Sequence, residues 1–351
     1  MKRLAVVLFN LGGPDSLEAV QPFLFNLFID PAIITAPQPF RWLLAKFISS
    51  KRTSVAREIY QHMGGRSPIL ELTQDQAQAL QTQLNANLPD TDVKVFISMR
   101  YWHPFSQQTV QDVQDFAADE VMLLPLYPQY STTTTESSFA DWDITAQKAG
   151  LAVPTKRICC YPTEPSFVAA QAALLAAGLD QAQQSGEPVR VLFSAHGLPK
   201  KIVDDKADPY PHQIERGAEA IVDHLKAQGV MIDDWRICYQ SRVGRLEWIG
   251  PATEDEIKRA GREGKALVVL PLAFVSEHSE TLVELDIEYK ELAVEHGITT
   301  YVRIAALGTD ETFINGLSDL VTNTLAGDTG LCAQGQSTRL CSESDRACPL
   351  S

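Results

Sequence analysis

Val7-Leu8-Phe9-Asn10-Leu11-Gly12-Gly13-Pro14 returns in the second half of the chain as Val191-Leu192-Phe193-Ser194-Ala195-His196-Gly197-Leu198-Pro199. Each is a short apolar, β-prone run that breaks into a Gly/Pro loop, the pattern of a buried strand ending in a tight turn. A second echo follows, Leu123-Leu124-Pro125-Leu126 against Val269-Leu270-Pro271-Leu272. Each half therefore opens with a strand running into a loop and later closes with a strand ending Leu-Pro-Leu. The expected fold class is α/β, with two Rossmann-like parallel-sheet halves facing one cleft. In such folds ligands bind beyond the carboxyl ends of the strands, so chemistry is expected in the loops that follow them.

Outward from these runs the alternation continues. Strands are expected at Leu4–Phe9, Val93–Ser98, Val121–Leu126, Val189–Phe193, Arg236–Tyr239, Ala266–Leu272 and Thr300–Ile304. Amphipathic helical patterns fill gaps between them at Thr73–Leu88, Ser166–Gln184, Pro211–Gln228 and Glu254–Glu263. Strands that are apolar throughout and separated by helices belong to parallel sheets covered on both faces. The chain of 351 residues is long enough for two such units. Residues 1–160 are read as the first half and 161–326 as the second, its last helix packing back on the first. Residues 327–351 form a cysteine-containing tail.

Hydrophobic residues make up 45% of the chain and charged residues 21%, with a formal net charge of −14. That is the profile of a globular protein. Without a clustered basic run, nucleic acid is excluded as an expected partner. The opening Met1-Lys2-Arg3 and its apolar run meet Gly12-Gly13-Pro14-Asp15 with no small-residue cleavage site, so a first strand is a better reading than a secretion signal. No run reaches the eighteen or so apolar residues of a membrane span. Two segments, Pro22–Ile34 and Phe40–Ile48, are apolar and aromatic without being strand-like. They are either helices buried against a sheet or an exposed lip that holds a flat apolar ligand or touches a membrane surface.

The chemistry concentrates after the strand Ala266–Leu272, in Ser276-Glu277-His278-Ser279-Glu280-Thr281-Leu282-Val283-Glu284-Leu285-Asp286-Ile287-Glu288-Tyr289. On an α-helix Glu277, Glu280, Glu284 and Glu288 fall within an arc of roughly 80°. Leu282, Leu285, Tyr289 and Leu292 flank that arc on one side, and Val283 and Ile287 on the other. Like charges four residues apart disfavour a helix, and the helix dipole accounts for Glu277 and Glu280 only. An acidic seam between apolar flanks suits the passage of a divalent cation or of protons. His196, at a strand's carboxyl end and followed by Gly197, is placed to bind a metal or accept a proton; a lone histidine is more often structural, and the seam is what favours function. No His-Glu-x-x-His, Gly-x-Ser-x-Gly or phosphate-loop motif occurs. The implied chemistry is metal and proton handling without a covalent intermediate.

Ordered along the chain stand Asn10-Leu11-Gly12-Gly13-Pro14, Gly64-Gly65-Arg66-Ser67-Pro68-Ile69, Met99-Arg100-Tyr101-Trp102-His103-Pro104, Tyr127-Pro128-Gln129-Tyr130-Ser131, Phe193–Pro199, Asp208-Pro209-Tyr210-Pro211, Gln240-Ser241-Arg242-Val243-Gly244, Trp248-Ile249-Gly250-Pro251 and Ser276–Leu282. Over about residues 3 to 325 the chain thereby resembles the ferrochelatases. The resemblance implies insertion of ferrous iron into protoporphyrin IX with release of two protons, in haem biosynthesis. It implies His196 and Glu280 as iron-side ligands, His196 as the proton acceptor, and Glu284 and Glu288 as an acidic path from the site. It places Leu11, Arg52, Tyr60, Ser67, Arg100, Tyr101 and Trp248 near the porphyrin and its propionates, although Trp248 and Tyr101 also read as core aromatics and Arg52 as an exposed charge. The segments Pro22–Ile34 and Phe40–Ile48 match the family's lip. A haem or metal-tetrapyrrole carrier, and a cobalt or nickel tetrapyrrole chelatase, are the alternatives.

The tail carries Cys332, Cys341 and Cys348 in the spacing C-x8-C-x6-C. It resembles the tail of those ferrochelatases that hold a [2Fe–2S] cluster, which needs four ligands. The animal-type internal ligand follows Tyr-Pro-Gln-Tyr-Ser, where this chain has Thr132. A fourth ligand would be Cys159, Cys160 or, as the lesser choice, Cys238, with Cys159 taken as the expected one; zinc or no metal at all are the other readings. The expected partners are protoporphyrin IX and ferrous iron, a membrane surface touched peripherally through the lip, and a second copy of the chain in a homodimer. The expected location is cytoplasmic, peripheral on the inner face of the membrane.

Overall fold

A computed structural model describes residues 1–244 and 246–350. Nine strands are described: β1 Lys2–Asn10, β2 Thr91–Met99, β3 Glu120–Pro125, β4 Thr155–Ile158, β5 Val189–His196, β6 Trp235–Gln240, β7 Ala266–Pro271, β8 Tyr301–Arg303 and β9 Leu331–Cys332. They form two sheets, β2-β1-β3-β4-β9 and β6-β5-β7-β8. Every pairing is parallel, as expected for apolar strands joined by helices.

The chain divides into two compact units, Met1–Cys159 with Leu317–Ser337, and Cys160–Gly316 with Thr338–Ser351. In the first, β1 is buried from Leu4 to Asn10, and its sheet packs Val7, Phe9, Val121 and Leu123 against Val110, Val113, Phe139 and Trp142. In the second, Leu192, Leu267 and Val269 pack with Ile257, Ala260, Leu285, Tyr289 and Ala293. The helix Tyr210–Ala227 shows how sequence builds this layer: Ile214, Ala218, Ile221 and Leu225 recur every three or four residues and are buried.

Two strands escaped the sequence pattern. Thr155-Lys156-Arg157-Ile158 has no apolar run, yet it pairs with β3. Leu331–Cys332, in the tail, pairs with β4. The lip segments are helices, Val20–Ile29 and Phe40–His62. The first buries Val20, Phe23 and Leu24. The second leaves Phe40, Trp42, Leu43, Leu44 and Phe47 exposed. No helix among the described residues is long and apolar enough to cross a membrane.

Candidate active site

The strand β5 delivers His196 as its last residue, paired with Gln240 at the end of β6. Gly197 turns the chain at once, its N–H donating to the Gln240 carbonyl at 2.8 Å, while the Tyr210 hydroxyl donates to the His196 carbonyl at 3.1 Å. A Cβ at Gly197 would stand 2.8 Å from that Gln240 oxygen, so only glycine lets the two strand ends meet there. Beyond β7 the chain reaches His278, whose N–H is accepted by the Thr281 hydroxyl at 3.0 Å. A short helix, Ser279–Leu282, follows and widens into a π turn over Glu284–Glu288 before α geometry resumes at Tyr289. Such turns concentrate at functional sites.

These elements bring His196 Nδ1 to 2.9 Å from Glu280 Oε2. With the proton on Nδ1 donated to the carboxylate, Nε2 is the acceptor nitrogen. The side chains of His196 and Glu280 are 37% and 26% exposed, so the pair is open to a ligand. His278 Nε2 lies 3.6 Å from the same Glu280 oxygen. Burial works against the imidazolium of His196, but Glu280 and Glu284 outweigh it and hold the ring above its ordinary value. Burial likewise pushes Glu280 up, and His196 and His278 outweigh it to hold the carboxyl well below the usual range.

Glu284 sits behind this pair and is held by four donors. They are the Ser241 N–H at 2.7 Å, the Ser241 hydroxyl, the Tyr289 hydroxyl at 2.8 Å and the Gln240 amide at 3.2 Å. Burial and the Glu280 charge push its carboxyl up in spite of them. The arrangement sets a low carboxyl beside a raised imidazole, with a second, raised carboxyl one turn on. Environments that separate neighbouring groups in this way assign acid and base roles.

Two seam residues take other places. Glu277 precedes the helix, because extended backbone at His278 delays its start; it receives Arg303 Nη1 and the Ala306 N–H at 2.9 Å. The expected four-residue acidic stripe is corrected in that respect. Glu288 lies at the end of the π turn and is exposed. Ser241 and Tyr289 are hydrogen-bonding neighbours of Glu284 that periodicity did not reveal. Tyr289 scored as apolar flank, and its ring is buried, but its hydroxyl serves Glu284.

Trp248, in the same unit, bridges to Pro199 beyond His196. In the first unit Leu11 packs on a cluster of Val20, Phe23, Leu24, Tyr60 and Tyr101, and Tyr101 is only 1% exposed. Ser67 is buried and its N–H donates to the Pro14 carbonyl at 2.8 Å. Arg52 is exposed, its guanidinium 6.0 Å from the Phe28 ring. Arg100 pairs with Asp30 at 2.9 Å.

The tail cysteines are divided between the two units of the chain. Cys332 belongs to the first unit, where its carbonyl accepts the Cys159 N–H at 2.8 Å and its sulfur lies 3.0 Å from the Thr324 hydroxyl. In the second unit Gln213 Nε2 donates to Cys341 at 3.0 Å and reaches Cys160 at 3.5 Å. Cys341 and Cys348 influence each other, lowering the Cys348 thiol and raising that of Cys341. Among the described residues no group of three or more His, Cys, Asp or Glu side chains is arranged to hold a metal ion.

Two α/β units with parallel sheets, His196 ending a strand of one beside Glu280, make a fold similar to that of the chelatases. SirB from Bacillus subtilis with Fe3+, a sirohydrochlorin chelatase, matches with a TM-score of 0.50 at 12% identity, covering 92% of this chain and 95% of SirB; at that identity the likeness concerns the fold alone. The ferrochelatase family profile matches residues 3–325. Ferrochelatase from Wolbachia sp. subsp. Drosophila simulans (strain wRi) is 53% identical over 91% of this chain and 98% of its own. Ferrochelatase from Caulobacter vibrioides (strain NA1000 / CB15N) is 51% identical over 91% and 90%. Ferrochelatase from Hyphomonas neptunium is 48% identical over 99% and 95%, its match extending through the tail. The chain belongs to the ferrochelatase family.

Proposed function

We propose that the chain inserts ferrous iron into protoporphyrin IX to give protohaem, a step of haem biosynthesis. The observation that carries this reading is the His196–Glu280 pair at 2.9 Å, half-open to solvent and backed by Glu284. Insertion requires Fe2+ to shed water and two pyrrole N–H bonds to break, each leaving its electron pair on nitrogen to bind iron while its proton departs. His196 Nε2 takes a proton, and the carboxylates of Glu280 and Glu284 offer it an exit. Imidazole and carboxylate also receive iron without the tight hold of thiolates. The test is anaerobic Fe(II) insertion into protoporphyrin followed by absorbance, for the wild type beside His196→Ala and Glu280→Gln. Turnover lost in both variants with porphyrin still bound supports the reading. A wild type that binds porphyrin and never metallates it returns the carrier reading.

The lip is part of the same proposal. On the helix Phe40–His62 the exposed residues Phe40, Leu43, Leu44 and Phe47 share one face. Five basic residues (Arg41, Lys46, Lys51, Arg52, Arg57) against one acidic (Glu58) give this helix a formal charge of +4 within a chain of −14. An apolar face with a basic border fits the surface of an anionic bilayer.

The tail is proposed to hold a [2Fe–2S] cluster. Its support is three cysteines within seventeen residues. Visible absorption and acid-labile sulfide in anaerobically purified protein test it; colourless protein without sulfide overturns it.

A further inference from the structure

Asp30 closes the first lip helix, Val20–Ile29, and its side chain is 3% exposed. A carboxylate so deep needs compensation from every side, and it has it. One oxygen, Oδ2, accepts from Arg100 Nη2 at 2.9 Å, the Tyr101 hydroxyl at 2.9 Å and the Ser137 hydroxyl at 2.6 Å. The other, Oδ1, accepts the Ala32 N–H at 2.8 Å. Arg100 and Tyr101 follow β2, and Ser137 lies in the first turn of the helix Thr135–Ala149 that follows β3. Asn26, on the lip helix, adds a bond to the Tyr101 carbonyl at 3.1 Å. One buried acid therefore ties the lip to two loops at the carboxyl ends of the sheet.

The same contacts engage all three nitrogens of Arg100. Its Nη2 is spent on Asp30, its Nε on Ser137 at 2.8 Å, and its Nη1 lies 3.5 Å from Asp141. One guanidinium against two carboxylates leaves the cluster with a formal charge of −1, a poor receptor for a propionate. Its plane also lies 5.1 Å from the Tyr101 ring, which packs with Leu11, Phe23 and Tyr60.

The geometry points to Asp30 as a positioning residue for porphyrin binding, one that sets the lip helix and the Leu11–Tyr101 cluster through Arg100 and Ser137, with Arg100 acting inside this clamp and not as a ligand of a porphyrin carboxylate. The inference rests on the porphyrin reading above. Asp30→Asn puts an amide donor among four donors and takes the nearer of its two counter-charges from Arg100.

Porphyrin affinity measured by fluorescence quenching, at a temperature where circular dichroism shows each variant folded, tests this without turnover. Asp30→Asn and Arg100→Met each weaken porphyrin binding about tenfold, the scale of one charge-assisted hydrogen bond. The double variant loses no more than either single, because the two residues act as one unit. Asp30→Glu recovers part of the loss. Where Asp30→Asn fails to fold, Ser137→Ala substitutes for it, with about threefold weaker binding expected. A lowered melting temperature with unchanged affinity makes Asp30 a purely structural acid and overturns the inference. Additive losses overturn it too, since Arg100 then meets the porphyrin on its own. Iron insertion by the wild type is recorded separately: normal porphyrin affinity without insertion sinks the enzymatic reading and leaves the clamp standing, whereas a wild type that binds no porphyrin sinks both.

Discussion

Leu11 and His196 occupy equivalent places in the two units. Each stands two residues beyond the one that pairs with the proline ending a neighbouring strand, Phe9 with Pro125 and Ser194 with Pro271. Backbone bonds repeat the match, from Leu126 N–H to the Phe9 carbonyl and from Leu272 N–H to the Ser194 carbonyl. One strand end thus presents an apolar side chain and its counterpart an imidazole. The repeated scaffold carries different chemistry at the same place: an apolar side chain packed on its cluster in one unit, an imidazole paired with a carboxylate in the other.

His196 titrates above the ordinary histidine range because Glu280 and Glu284 overcome its burial. Its value rises on folding, so its contribution to stability is complete below about pH 6.5 and is lost as pH rises through the folded value. Glu284→Gln removes one of the two charges, and the His196 resonance is expected to titrate at lower pH by NMR. An unmoved titration means that Glu280 alone sets the ring.

The repeat that revealed the fold was legible because Leu-Pro-Leu and the Gly loops recur. Its register was not. The sequence echo aligns Phe9 with Phe193, while strand pairing matches Phe9 with Ser194. A shift of one residue exchanges the two faces of a strand, and no composition pattern reports it. His196, Glu280 and Glu284 were legible from motif and spacing. Ser241 and Tyr289 were not, since their roles depend on a π turn that a uniform helical period cannot describe. Asp30 was hidden inside a segment read for its apolarity, because the donors that make it matter come from distant stretches of chain.

A buried ion network gives a stability prediction away from the site. Arg190, 2% exposed, is bound by Asp234 at 2.8 Å and by Glu263. Burial pushes the Asp234 carboxyl up, but Arg190 more than reverses this and holds it below the ordinary value. A lowered acid contributes in full above about pH 4, and its contribution fades as pH falls through the folded value. Asp234→Asn is expected to cost about 1–2 kcal/mol at pH 7, the low end for a charged hydrogen bond because the carboxylate keeps some contact with water. Urea unfolding should show that gap constant from pH 7 to about 5 and closing below about 4. A gap independent of acid would mean that charge plays no part.

Gly197→Ala should damage the site more than the fold. Its Cβ would press on the Gln240 carbonyl at 2.8 Å and on Arg242 Cγ at 3.2 Å. Relief means parting the ends of β5 and β6, at a cost of about 1–3 kcal/mol by the scale of overpacking. His196 is the next residue back, so iron insertion is expected to fall about tenfold or more, the loss that follows when a reacting group is misplaced by a fraction of an ångström. Normal insertion with a lowered melting temperature would show that the His196–Glu280 geometry survives the strain.

The lip offers a prediction with two separable arms. Lys46 and Lys51 flank exposed Phe47, with Lys51 Nζ 5.9 Å from its ring and Lys46 Nζ 4.9 Å from the Trp42 ring. A lysine near an anionic bilayer contributes about 1 kcal/mol, or roughly fivefold in partition, and this contribution is screened by salt. Lys46→Gln with Lys51→Gln should therefore weaken sedimentation with phosphatidylserine-containing vesicles at low salt and make little difference at high salt. Phe40→Ser with Phe47→Ser removes inserted apolar area, so its loss should persist at both salt concentrations. Binding to anionic vesicles that is indifferent to all four residues would place the contact elsewhere and leave the exposed stripe to another task.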